Sequence, residues 1–181
     1  MKPTLALTLS VIAGIAWTID GGAQARQRES EPGPERQKLA YFIGTWKTEG
    51  EMKQSMFGPA GTLSGTARHE WILGEFFYLT HHEEQNPSGK HESVEITGYD
   101  RAKNVYVTYS FGSEGGVSRA EGTTSGDTWT WMTEYVVKGT TVKTRTIIRP
   151  TSPTSYDFTW EIAPEGHEWT VVQTGRSTKV K

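Results

Sequence analysis

The chain has no cysteine, which removes disulfides, thiolate nucleophiles and thiolate metal sites together. It has no surplus of positive charge either: 19 Lys and Arg stand against 21 Asp and Glu, a net charge of -2. Binding to nucleic-acid phosphates needs a basic field, so nucleic acid is excluded as a partner. Long apolar runs are also missing. The one from Leu5 to Ile19 spans 15 residues, short of the roughly 20 that a membrane-spanning helix requires. No segment beyond it keeps a period of 3.6, so little helix is expected. Apolar residues make up only 34% of the chain while aromatic residues reach 11%. Burial must therefore rest on a few large rings.

What is present begins with an address. Lys2, the apolar run and Ala23-Gln24-Ala25 form the n-region, h-region and small-x-small site of a secretory signal peptide over residues 1–25. A periplasmic or secreted bacterial product is expected, with no membrane span once the peptide is removed. Residues 26–38, RQRESEPGPERQK, are charged and hold no large apolar side chain, the composition of a flexible leader. A short helix can start near Glu35 and lead through Leu39 and Phe42 into a folded domain over 39–181.

Turn signals then recur every 11 to 15 residues or so. They are Gly58 to Gly61, Gly74, Asn86 to Gly89, Asp100 to Asn104, Glu114 to Gly116, Ser125 to Asp127, Lys138-Gly139, Pro150 to Pro153 and Pro164 to Gly166. Nine turns imply ten strands. Alternation assigns the faces, because successive side chains on a strand point to opposite sides. Trp46, Thr48, Gly50 and Met52 oppose Lys47, Glu49, Glu51 and Lys53. Leu63, Ala67, His69 and Trp71 oppose Ser64, Arg68 and Glu70. Val105, Val107, Tyr109 and Phe111 form the apolar face of the fifth strand, Trp129, Trp131 and Tyr135 that of the seventh. Val142, Thr144, Thr146 and Ile148 follow, then Tyr156, Phe158, Trp160 and Ile162. One wet face and one buried face, with no helices to cover the latter, mean a sheet that closes on itself. The expected fold is all-β: an up-and-down antiparallel β-barrel of about ten strands.

Gly44-Thr45-Trp46 resembles the Gly-x-Trp that opens the first strand of lipocalin-like (calycin) barrels. In that group the Trp plugs one barrel end and a basic residue of the last strand packs over it. The resemblance gives that second role to Arg176, or else to Lys179. The stretches FIGTWKTEGEM and ARHEWILGEFF are similar to a bacterial exported family described only as a domain of unknown function, akin to the nitrobindins. Nitrobindins are ten-stranded haem-binding barrels with Gly-x-Trp-x-Gly-x-Gly, and here Thr48 replaces the middle glycine. Their haem histidine lies within the last strand, whereas this chain has only His167 at that strand's entrance.

Candidate chemistry is sparse. No Ser-His-Asp frame, phosphate loop or zinc spacing occurs, so no catalytic or metal residue is assigned and an enzyme is not favoured. Six of the seven tryptophans follow residue 25, and five of them carry inward parity. Trp46, Trp71, Trp129, Trp131, Tyr156 and Trp160 are the expected wall for a small apolar molecule, with His69 as its polar contact. Haem held by His69 or His167 is the alternative, and a packed envelope module without a cavity is another. His81-His82 read as a wet strand end near Glu83 and Glu84, since strand neighbours face opposite ways. Arg119 with Glu121, and Glu92, lie on strands whose parity leaves inside and outside open. A monomer or weak dimer is expected.

Overall fold

The computed structural model describes residues 33–180; the expected signal peptide and most of the leader lie outside the described residues. The helix expected near Glu35 forms as α1 (Pro34–Leu39), with Pro34 in its first turn. Proline is tolerated there because its missing N–H has no intrahelical partner to lose. A 3₁₀ turn (Ala40–Phe42) follows. The domain thus starts ahead of Leu39: the Tyr106 hydroxyl donates to the Glu35 carbonyl at 3.3 Å and Lys38 Nζ to Thr124 Oγ1 at 3.0 Å.

Ten strands then run β1 (Gly44–Met52), β2 (Gly61–Ile72), β3 (Phe77–Asn86), β4 (Gly89–Asp100), β5 (Val105–Gly112), β6 (Val117–Ser125), β7 (Thr128–Val137), β8 (Thr140–Ser152), β9 (Ser155–Pro164) and β10 (Thr170–Lys179). Each pairs antiparallel with its sequence neighbours, and β1 pairs with β10 from Trp46↔Lys179 to Met52↔Gln173. The sheet is a closed up-and-down barrel, as the spacing of turns predicts. All nine turn signals fall between or at the ends of strands. Pro150 is the partial exception: it lies within β8, opposite Tyr156, next to a shift of register before Ser152.

At the seam between β1 and β10 two backbones come unusually close. Gly50 faces Gly175; a Cβ on Gly175 would lie 2.6 Å from the Phe158 ring, and one on Gly50 would run into the Thr174 carbonyl. Glycine at both positions lets the barrel close without a bulge there.

One end of the barrel is plugged. Trp46 is wholly buried and its Nε1 donates to the Phe42 carbonyl at 2.6 Å. Leu39, Phe42, Tyr78, Tyr106 and Trp129 pack into one buried cluster there, with Phe42 edge-on to Trp129 at 5.2 Å and Tyr106 at 4.7 Å from the same ring. Ring pairs at such distances stabilise beyond the area they bury. Tyr41 ties the turn down by donating to the carbonyls of Ser155 (2.8 Å) and Ser152 (3.0 Å). A smaller cluster of Val142, Ile162 and Val172 lies toward the opposite end, with Phe57 of the β1–β2 loop packed against it.

The expected faces of β1, β2, β7, β8 and β9 hold. That of β5 is inverted: Tyr109 and Phe111 are 45% and 47% exposed, while Tyr106 is buried and Thr108 and Ser110 look inward. Beyond Tyr106 the larger side chains of β5, Tyr109 and Phe111, are outside because the inner face there borders a polar space. Phe111 lies in register with Val94 on one side and Val117 on the other, forming an apolar stripe on the outer surface.

Candidate functional site

The barrel is hollow. Its interior beyond the plug holds a cavity of about 570 Å³, within the range of about 300–1,000 Å³ usual for small-molecule pockets. The wall has two characters. On β7 to β9 it presents Trp131, Tyr135, Ile148, Tyr156, Phe158 and Trp160, and Phe57 and Met52 approach the same side toward the mouth. On β2 to β6 it presents polar groups in rows set by the strand register. His69, Thr80, Glu95, Ser110 and Ser118 are successive partners across five strands, and all line the cavity. Nearer the mouth stand His82, Glu84, Asn86 and His91.

His69 occupies the position its alternation predicts. It is 9% exposed, and its Nδ1 lies 2.8 Å from Thr80 Oγ1. Its Nε2 is buried without a hydrogen-bond partner. An orphaned nitrogen at a cavity wall costs stability, and a bound polar group can satisfy it. Burial, with a smaller push from the charges of His82 and Lys179, lowers the imidazole pKa from 6.5 to about 4. The ring is therefore neutral at pH 7. Glu95 takes a hydrogen bond from Ser110 Oγ at 3.2 Å. Its carboxylate reaches far enough into the interior to push up the pKa of both Tyr78 and Tyr156, each of them already raised chiefly by burial.

The seven expected wall residues separate into two groups. Trp131, Tyr156, Trp160 and His69 line the cavity. Trp46, Trp71 and Trp129 do not: they belong to the plug, where Trp129 stacks on Trp131 at 6.1 Å and the Arg36 guanidinium lies 4.7 Å over the Trp71 ring. The basic residue over Trp46 is Lys179, not Arg176. Lys179 Nζ sits 4.9 Å from the Trp46 ring and donates to the Tyr41 carbonyl at 3.1 Å. Arg176 is one strand step out of phase, so it faces solvent and pairs with Asp157 at 2.7 Å. Arg119 and Glu121 form an outer pair at 2.7 Å. Glu92 is also outside, bonded to Lys90 at 2.5 Å. His82 and Glu84 are cavity residues and not merely a wet strand end; His81 is the exposed one.

His167 lies exposed beyond β9 and does not line the cavity. His69 offers a buried, unpartnered imidazole nitrogen at the cavity wall, which His82 and His91 also line. The surroundings do not suit haem, however, because no Lys or Arg among the described residues lines the cavity while Glu84 and Glu95 do. A bound haem would find no cationic side chain on the described wall for its propionates. Among the described residues there is no group of three or more His, Asp or Glu arranged to hold a metal ion, and no helix long and apolar enough to cross a membrane.

A closed ten-stranded barrel with a plugged end and a chambered interior defines a lipocalin-like barrel. Within that class the chain belongs to the family described as "Protein of unknown function (DUF1579)", whose model matches residues 31–179. Solved structures share the fold. Rv2717c from M. tuberculosis superposes with a TM-score of 0.58 at 11% identity, covering 83% of this chain and 100% of that one. The S-type phycobiliprotein lyase CPES from Guillardia theta superposes with a TM-score of 0.53 at 10% identity, covering 86% and 97%. No curated protein matches the sequence.

Proposed function

We propose that this chain is an exported binding barrel, monomeric or weakly dimeric, that holds one small molecule. The ligand's apolar body lies against Trp131, Phe158 and Trp160, and a polar group reaches His69 and Thr80. The observation that carries this reading is the cavity of about 570 Å³ left open by the aromatic side chains. A packed envelope module would have filled it. The two-sided wall further supports an amphipathic ligand over a wholly apolar one, since an unmatched apolar surface against the β2–β6 rows would leave their polar groups unpaired.

The test is a native mass spectrum of protein produced with its own leader and never denatured, joined to a Nile red titration. A retained small molecule, or saturable one-to-one dye binding that Trp131→Ala weakens about tenfold or more, is the expected result. A bare chain that takes up no dye, or dye binding indifferent to Trp131→Ala, would overturn the reading. A Soret band would restore haem as the occupant.

A further inference from the structure

We infer that the cavity selects a positively charged organic ligand, a compact amine or quaternary ammonium on an aromatic or alicyclic body, with Glu95 as its counter-ion. The inference rests on the binding reading above and names the class of ligand. The cavity wall carries two carboxylates, Glu84 and Glu95, and no Lys, Arg or Asp among the described residues. Glu84 is already engaged by Asn86 Nδ2 at 2.8 Å, near the mouth. Glu95 lies deeper, in the middle of the polar row, with a single neutral donor, Ser110, and no cationic partner among the described residues. A carboxylate facing a confined space without a counter-ion is costly unless a cation arrives to pair with it.

Three further features suit a cation. Tyr78 and Tyr156 stand within electrostatic reach of Glu95, and Trp131, Phe158 and Trp160 complete an aromatic enclosure. Ring faces attract ammonium groups, most strongly where water is excluded. His69 supplies the independent observation that a ligand belongs here. In the tautomer whose Nδ1–H donates to Thr80 Oγ1, the unpartnered Nε2 is an acceptor for an ammonium N–H. Lys179 is turned to the Tyr41 carbonyl and the Trp46 ring and does not line the cavity.

Calorimetric titration at pH 7.5 of the full chain with three probes of one shape tests this: 2-naphthylmethylamine, 2-naphthylmethanol and 2-naphthylacetate. The amine should bind about tenfold or more tighter than the alcohol, and the acetate weakest. Glu95→Gln should bring the amine down to the level of the alcohol while leaving the alcohol within about twofold. Glu84→Gln should preserve most of the preference. Equal binding of all three probes would keep the binding barrel and overturn cation selection. Tightest binding of the acetate, or a preference that survives Glu95→Gln, would overturn it as well. No binding of any probe would remove the binding reading itself. The amine-to-alcohol ratio of the unaltered protein stands as evidence even if Glu95→Gln does not fold.

Discussion

His69 makes the burial of the cavity wall measurable without a ligand. In the folded chain its imidazole takes a proton only near pH 4, against 6.5 when unperturbed. The cause is first its burial and then the nearby charges of His82 and Lys179. The unfolded chain therefore binds a proton that the folded chain refuses throughout that window. Stability from this group is fully present above pH 6.5, declines as pH falls, and is lost by about pH 4. At about 1.4 kcal/mol per pH unit, the gap amounts to about 3 kcal/mol. No discount for solvent screening applies, because the residue is only 9% exposed. His69→Gln keeps a polar group of similar size opposite Thr80 and removes the titration. Urea midpoints converted to free energies, taken for both proteins from pH 4 to 8, isolate the group as their difference. Relative to the variant, the parent chain should lose about 3 kcal/mol between pH 7 and 4. Titrating groups that do not interact with His69 cancel in that comparison. A difference that stays constant across the range would mean that His69 protonates equally well folded and unfolded, and the buried, orphaned ring described above would be wrong.

The plug offers a graded pair of substitutions. Trp46→Ala should cost about 3–5 kcal/mol as a large-to-small core change; Trp46→Phe should cost about 1–3 kcal/mol, mostly for the Phe42 carbonyl left without its donor. A Trp46→Phe midpoint equal to that of the unaltered chain in urea unfolding would refute the role of the indole N–H. The basic residues of β10 should separate just as clearly. Lys179→Ala should lower stability by about 1–2 kcal/mol through the lost ring and carbonyl contacts, whereas Arg176→Ala, on a fully exposed pair with Asp157, should leave the melting temperature unmoved. The reverse order in a thermal melt would return the capping role to Arg176.

The limits of legibility follow from what hydrophobic alternation measures. It reads the inner face correctly where that face is apolar, as from Trp46 to Met52 or from Tyr156 to Ile162. On β3 the inward residues Thr80, His82, Glu84 and Asn86 are all polar, so nothing in the pattern marked them as interior. On β5 the pattern points the wrong way, since Tyr109 and Phe111 are larger and more apolar than Thr108 and Ser110 but face solvent. Glu95 was hidden for the same reason: it shares a face with Ser93 and Thr97, while the apolar markers of β4, Val94 and Ile96, are outside. Turn chemistry is independent of what the interior contains, and the strand count derived from it was right. Parity also placed Trp46 and Trp129 inside but not at which height. Position along the barrel axis, which separates plug from cavity wall, depends on the stagger of ten strands.

The seam between β1 and β10 governs how the molecule comes into being. Nine hairpin contacts join neighbours along the chain and can form as soon as each pair of strands exists. The tenth does not: the Lys179-to-Tyr41 bond links groups 138 residues apart, and closing so long a loop carries its entropy cost before any contact repays it. The plug shares that dependence, since Trp46 completes its enclosure only when Lys179 and Tyr156 arrive. Without that pairing the ten strands would form a sheet with two bare edges, each able to pair with another chain. The pairing of β10 with β1 removes both edges, and Lys179 and Tyr156 complete the enclosure of Trp46.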